Sequence, residues 1–334
     1  MLRADLEAQE ALRAWHVSVG SAAVLRLCTL QMDAAPTTAY VMLGERCARR
    51  CAFCTQARDS QANSALLSRI TWPPFRSDQV LEGIIAAFRQ GHLQRVCLQT
   101  TVSPRYIQGA EEAIQALSAA CPIPISVSIA LRSLEEIERL LAAGAERVTI
   151  ALDAASERVA ALVKPGLAWE ETRQLLYTAA ERYPGRIGTH LIAGLGETEQ
   201  ELLTCLAGLY DHGLMVGLFA FTPIPGTRMA HHPPPDLASY RALQATRWLL
   251  ARGLVKEGAL QYDEAGRLIN LGLTKKEVAR LLEGGEAFRT AGCAGCNRPY
   301  YNERPGGPLY NYPRPLTREE SEREIAALLA RWFP

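Results

Sequence analysis

The chain has 334 residues, of which 48% are hydrophobic and 21% charged, with a formal net charge of +1. This is the composition of a globular protein long enough to bury a sizeable core as one large α/β domain with extensions. So small a net charge gives no general attraction to polyanions, and nucleic acid is not an expected partner.

Met1 to Trp15 sets Arg3, Asp5, Glu7, Glu10 and Arg13 among apolar residues, the pattern of an amphipathic helix rather than a signal peptide. No run approaches the roughly 18 consecutive apolar residues that a membrane-spanning helix needs. The expectation is a cytoplasmic protein without a membrane partner, opening with a helical extension over 1–36. From Thr37 to about Gly253 short apolar runs alternate with longer helical patterns, as in repeated βα units with a parallel sheet. Strands are expected at Thr38–Leu43, Arg95–Thr101, Ile123–Ile129, Arg147–Leu152, Arg186–Ala193 and Leu214–Phe221. Between them apolar residues fall at helical spacing, as in Leu134, Ile137, Leu140 and Leu141, with Gly144 where a helix C-cap belongs. The expected fold is α/β, a partial (β/α)6 TIM-like barrel over 37–256. Its functional groups should gather at the C-terminal ends of the strands. A C-terminal extension over 257–334 reads as a hairpin (Ala259–Leu273), a short helix, an irregular stretch (Phe288–Pro313) and a final amphipathic helix. That stretch is too long for an ordinary connection, and Tyr300, Tyr301, Tyr310 and Tyr312 argue that it packs.

Nine cysteines stand at positions 28, 47, 51, 54, 97, 121, 205, 293 and 296. Their odd number and their two tight clusters suit metal ligation better than a disulfide framework. Cys121 and Cys205 read as small buried hydrophobes. Cys47, Cys51 and Cys54, in the loop after the first strand, can meet three corners of an iron–sulfur cube and leave the fourth iron open to chelate a substrate or cofactor. Zinc is the alternative, although structural zinc takes four ligands and no fourth lies nearby. Cys293 and Cys296 form a second pair, with Gly292 and Gly295 freeing the backbone to wrap a metal. Cys97, which shares an interior-facing side of its strand with Gln99, is a candidate third ligand, and Cys28 its competitor. Asn297, a tyrosine, a hydroxyl or an external sulfide are candidates for a fourth. The pair could instead be a small structural clamp.

The segment GERCARRCAFCTQARDS, with Phe53 directly before the last cysteine, resembles the signature of the radical S-adenosylmethionine (SAM) superfamily. The resemblance implies a 4Fe-4S cluster on Cys47, Cys51 and Cys54, chelated by SAM and cleaving it to a 5'-deoxyadenosyl radical. THLIAGLGE resembles the fifth-strand motif of that superfamily, which places Ile192 against adenine, with Gly194 and Gly196 allowing close backbone approach. Asp153, ending VTIAL, is placed to bond the ribose hydroxyls; the alternative is a helix N-cap for the segment from Ser156. Phe53 and Thr100 complete the implied cofactor-binding set. TPIPGT, Thr222 to Thr227, resembles the loop after the sixth strand, though Pro and Gly there suit a turn as well.

The run from Cys97 to Pro104, with LDAASE and LIAGLGE, resembles biotin synthase, in which a second cluster supplies the sulfur inserted into substrate. Ser128 and Gly188 stand where that enzyme has further cluster cysteines, so its cluster cannot be assembled as such. CNRPYYNERP and TTAYVML look like biotin-synthase-related proteins that form one half of two-component lipoyl synthases. This implies an auxiliary 4Fe-4S cluster on Cys97, Cys293 and Cys296 that gives sulfur to an octanoyl chain on a lipoyl carrier protein. The implied partners are a second radical SAM subunit, that carrier protein and a low-potential electron donor such as ferredoxin. The C-terminal arm, with Arg289, Arg298 and its tyrosines, would close the barrel mouth. Otherwise Arg298 and Arg304 are solvated surface charge, and His231 and His232 belong to a solvated loop. Two other functions stay open: a radical SAM enzyme with another use for its second cluster, and a zinc-binding scaffold without catalysis.

Overall fold

The structure, a computed structural model, describes residues 14–303 and 306–333. In chain order its first half runs β1 (Ala14–Val17), α1 (Val19–Val24), β2 (Thr38–Leu43), β3 (Leu66–Leu67), β4 (Ile70–Thr71), β5 (Pro74–Arg76), α2 (Ser77–Arg89), β6 (Arg95–Thr100), α3 (Tyr106–Ala120), β7 (Ile125–Ser128) and α4 (Leu134–Ala142). Next come β8 (Arg147–Thr149), α5 (Glu157–Val163), α6 (Trp169–Arg182), β9 (Ile187–Ala193), α7 (Glu199–Asp211), β10 (Met215–Ala220) and α8 (Leu237–Leu250). The chain ends with β11 (Gln261–Tyr262), β12 (Leu268–Asn270), α9 (Lys275–Leu281) and α10 (Arg318–Trp332). Arg304 and most of the helix expected over Met1–Trp15 lie outside the described residues.

Six parallel strands, in the order β10-β9-β8-β7-β6-β2, make the curved sheet of the expected partial barrel. They are the six read from the sequence. Every residue of β2 is buried, because this strand of the parallel sheet is covered on both sides and is mostly apolar. The helices pack one stripe each against the outside. In α4 the Ser133 side chain caps the N-terminus, and Ile137, Leu140 and Leu141 are buried. Gly144 follows at φ 116°, where a Cβ would stand 2.3 Å from Ser118 Oγ.

Two strands extend the sheet beyond the six. β1 pairs antiparallel with β2, and β5 antiparallel with β1. Ala14 and Trp15, expected to end a helix, are therefore strand: Trp15 and Val17 are buried and alternate with half-exposed His16, the period of a strand. Among the described residues no helix is long and apolar enough to cross a membrane.

The C-terminal extension does not stay outside the barrel. Gly295 O accepts a hydrogen bond from Thr37 Oγ1 at 2.6 Å, and Ala294 O one from Arg95 Nε at 3.2 Å, both at the N-terminal ends of strands. Seven residues on, Asn302 Nδ2 donates to Ala220 O at 2.7 Å, at the C-terminal end of β10. Between these points Arg298 N donates to Tyr40 Oη of β2 at 2.8 Å, and the Arg298 guanidinium lies against Phe219 of β10. The segment thus fills the space between β2 and β10, the two strands that six-stranded closure would have to pair.

Candidate active site

At the C-terminal ends of the strands a cavity of about 600 Å³ is lined by Cys47, Cys51, Phe53 and Cys54 of the loop after β2. Gly44 starts that loop at φ 89°, with no room for a Cβ beside Thr101. Backbone bonds then hold it: Ala48 N to Val102 O at 2.7 Å, Cys47 N to Gln56 O at 3.1 Å and Ala52 N to Val163 O at 2.6 Å. All three cysteines are free thiols. Burial pushes the Cys51 thiol up to about 11, against the pull of Lys164. Cys54 is pushed up to about 12, first by burial and then by Cys51. Thiols that oppose one another's ionisation ionise readily around a cation, and a set of only sulfur donors suits iron–sulfur clusters over hard cations. Among the described residues no group of three or more His, Cys, Asp or Glu side chains is set to hold a metal ion as it stands. The fit of a cluster therefore rests on donor type, shared cavity and mutual repulsion.

Thr100, Asp153 and Ile192 line the same cavity. Asp153 has φ 64°, a left-handed conformation held by its N–H bond to His190 O and by Ile192 N donating to its C=O, each 2.8 Å. Its Oδ2 accepts from Lys164 Nζ at 2.7 Å. Asp153 does not cap a helix: Ser156 Oγ caps α5. Gly194 stands outside the cavity wall. A Cβ there would meet Pro235 Cδ at 2.7 Å, and its N–H donates to Glu197 Oε1 at 2.6 Å, so its backbone requirement is internal to the turn. Gly196 also has positive φ, 112°, with nothing near its missing Cβ. In TPIPGT, Gly226 lets the loop touch the segment after the cysteines, where Gln61 N donates to Gly226 O at 2.8 Å. His231 is exposed, while His232 bonds Gly194 O at 3.0 Å and packs on Phe221.

A second group of thiols meets near the other end of the barrel. Tyr40, Cys97 and Ser126 lie side by side across β2, β6 and β7. The Tyr40 hydroxyl is 3.4 Å from Cys296 Sγ, and Ser126 Oγ is 3.2 Å from Cys293 Sγ. With neighbouring strands about 4.8 Å apart, Cys97 stands between these two contacts and faces both cysteines. Burial raises the Cys97 and Cys296 thiols; Cys293 and Cys296 push Cys97 further up, while Arg298 pulls both down. Cys28 is elsewhere, its Sγ directed to Val19 O at 3.7 Å. Asn297 is occupied as a tie, accepting from Thr37 N at 3.1 Å and donating to Ala35 O at 2.9 Å. Gly188 has no room for a side chain beside Met215, and Ser128 faces the upper cavity.

Two expectations for the C-terminal arm change. Arg298 is not solvated: it is 8% exposed, its guanidinium carbon 3.7 Å from the Phe219 ring centroid. Nor does the arm close the mouth as a lid. Tyr301 and Asn302 enter the cavity wall from within, whereas Arg289 pairs with Glu286 at 2.9 Å on the opposite face. Tyr310 and Tyr312 bond Pro235 O and Glu324, each at 2.7 Å, and so pin the outer wall. Lys164, His190 and Tyr301 also line the cavity: Lys164 carries no signal in the sequence, His190 stands within THLIAGLGE without an assigned role, and Tyr301 is expected only as one of the tyrosines of the arm.

The family model of the radical SAM superfamily matches residues 41–207, half of the 334. A crystal structure of HydG, a maturase of the FeFe-hydrogenase, superposes with a TM-score of 0.53 at 12% identity, covering 64% of this chain and 49% of that one. Methylornithine synthase (PylB) gives 0.52 at 15% identity, covering 64% and 62%. HydG from Carboxydothermus hydrogenoformans gives 0.51 at 17%, covering 65% and 51%. At such identities the likeness is one of fold, the partial barrel, and the match spans about half to three fifths of those chains. No curated protein matches this sequence. The cysteine loop at the C-terminal end of a six-stranded partial barrel and the family match agree: the chain belongs to the radical SAM superfamily of enzymes, which use a 4Fe-4S cluster and SAM.

Proposed function

We propose that the protein is a sulfur-inserting radical SAM enzyme, a lipoyl synthase component that acts on an octanoyl-lysine carrier protein with a second radical SAM subunit and a ferredoxin-type electron donor. The observation that supports this most is the meeting of Cys97, Cys293 and Cys296 inside the barrel whose other end carries Cys47, Cys51 and Cys54. Arg298 adds to it. Among the described residues this buried guanidinium has no carboxylate partner, and a buried cation needs nearby negative charge. Thiolates of Cys97 and Cys296 around an auxiliary 4Fe-4S cluster would supply it.

In this reading Cys47, Cys51 and Cys54 hold the first cluster, and Phe53, Thr100, Asp153 and Ile192 the SAM, with Gly194 shaping the turn behind Ile192. When bound, the two clusters and SAM supply a 5'-deoxyadenosyl radical able to take hydrogen from an unactivated carbon, and a sulfide to replace it. The chain's own residues position and enclose. Leu131, Leu167 and Leu175 give the cavity an apolar wall for an aliphatic chain and exclude water from it. Gln99 reaches the cavity two residues above Cys97 on the same side of β6, about 7 Å along the strand. Tyr301 packs on the second thiol site and also lines the cavity, so it separates the two. A target carbon held against Tyr301 would lie between SAM and the second site, as capture of its radical requires.

The test is anaerobic reconstitution of wild type and of Cys293→Ala/Cys296→Ala, with iron and sulfide counted per chain. Both are then given SAM, reductant and an octanoyl-lysine peptide. The expected result is two clusters falling to one, with thiolated peptide from wild type only. One cluster in wild type, with 5'-deoxyadenosine still formed, would leave the family role intact and end the sulfur-donor reading.

A further inference from the structure

The face of the barrel opposite the candidate active site carries a second cleft, of about 610 Å³. Four arginines line it, Arg247, Arg252, Arg289 and Arg314, against the carboxylates of Asp33 and Glu286. Two of the arginines are already neutralised: Arg289 by Glu286 at 2.9 Å and Arg314 by Glu320 at 2.8 Å. Asp33 faces the Tyr300 hydroxyl. Among the described residues this leaves Arg247 and Arg252, near the end of α8, without an ion pair.

These two guanidiniums are close enough for Arg247 to lower the pKa of Arg252, after burial, with Glu286 offsetting only part of the effect. Arg252 is stacked on the Trp248 ring at 4.0 Å, which fixes its plane. Arg247 is only 8% exposed, and its buried Nε–H has no acceptor; the Trp248 Nε1–H is in the same state. The Tyr210 hydroxyl faces the Arg247 guanidinium, which offsets part of the rise that burial causes in its pKa. A buried donor left unsatisfied is destabilising, and one cation beside another adds repulsion. Both costs are relieved by the same thing, an oxyanion presenting several acceptors to paired guanidiniums.

We infer that this cleft is a binding site for a small dianion of the phosphate or dicarboxylate type, held by Arg247 and Arg252. The site lies on the side of the barrel away from SAM, and Cys293 and Cys296 also line it. A ligand seated there would share its cleft with the second thiol site. The inference does not depend on what those thiols hold.

Isothermal titration of the anaerobically reconstituted full chain tests it, with inorganic phosphate and with succinate as separate titrants at an ionic strength fixed by chloride. The expected result is one-to-one binding of at least one of them with a Kd below about 1 mM, weakened about tenfold or more in Arg252→Gln and Arg247→Gln. Whichever titrant binds identifies the ligand type. Arg252 is exposed, so its variant carries the test even if loss of buried Arg247 harms folding. No saturable heat from either anion, or equal affinity in wild type and Arg252→Gln, overturns the site. No SAM or carrier is present, so the outcome is independent of sulfur insertion.

Discussion

Lys164 Nζ lies 2.7 Å from Asp153 Oδ2 inside the candidate active-site cavity. Lys164 also donates to Ala151 O, so one ammonium fixes both the carboxylate and the chain that leads to it. A hydrogen bond to a charged group contributes about 1.5–3 kcal/mol, and in the proposed reading the Asp153 carboxylate accepts such bonds from the ribose hydroxyls of SAM. Asp153→Asn should therefore weaken SAM binding by about 10- to 100-fold with the iron count unchanged, as equilibrium dialysis would read. Lys164→Met should weaken it too and lower thermal stability, because it leaves a largely buried carboxylate without its cation. Unaltered SAM affinity in Asp153→Asn would remove Asp153 from the cofactor wall.

Cys97 and Cys28 competed as the third partner of Cys293 and Cys296, and their surroundings separate them. Cys97 lies between the Tyr40 and Ser126 contacts inside the barrel, whereas Cys28 packs outside, near Val19. Cys97→Ala should lose about as much iron and sulfide per chain as Cys293→Ala, and Cys28→Ala should lose none. Elemental analysis after anaerobic reconstitution decides the matter, and full iron content in Cys97→Ala would break the grouping.

The parts of this molecule legible in the sequence are those set by local pattern. Each of the six parallel strands carries apolar residues that pack against the outer helical layer, and the cysteine loop is a spacing within a short stretch of chain. β1 and β5, four and three residues long, are too short for a periodic signal, and Pro74 argues against a strand except at an edge. β8 is shorter than the expected Arg147–Leu152, since beyond Thr149 the chain turns toward the strained backbone of Asp153. Arg298 was unreadable for another reason. Whether an arginine is solvated or buried depends on what meets it, here Phe219 and Tyr40 from strands far off in sequence. The end of the barrel at which the Cys293–Cys296 loop enters is likewise fixed by Thr37 and Arg95, not by the loop itself.

The arm that carries this loop is anchored through Arg241 on α8. Its Nε is 2.8 Å from Glu324 Oε2 on α10, and its Nη atoms donate to Tyr310 O at 2.6 Å and Leu309 O at 2.5 Å. Breaking a buried pair by removing one partner costs about 3–5 kcal/mol, because the other charge stays buried. Arg241→Met should fall in this range in urea unfolding, with Glu324→Gln lower, since its amide keeps a hydrogen-bonding oxygen. A cost below about 1 kcal/mol, the ordinary size for a surface pair, would mean that the arm is held elsewhere.

His190 makes stability depend on acid in a defined window. Its ring faces the cavity and meets the Phe219 ring edge-on at 5.3 Å. Burial first, then the charge of Arg298, lowers its pKa from 6.5 to about 4. Between those values the unfolded chain binds a proton that the folded chain refuses, so stability rises with pH there. The contribution is fully present above about pH 6.5 and lost as pH falls toward 4, amounting to about 2 kcal/mol between pH 7 and pH 5. His190→Gln has no such proton to refuse, and its unfolding free energy should drop less than that of wild type over the same interval. Arg298→Met should narrow the window by letting His190 titrate nearer its ordinary pKa, which NMR of the imidazole would read directly in protein reconstituted without iron. Equal pH slopes in wild type and His190→Gln would show that His190 is protonated as easily folded as unfolded, and that the cavity admits water to its ring.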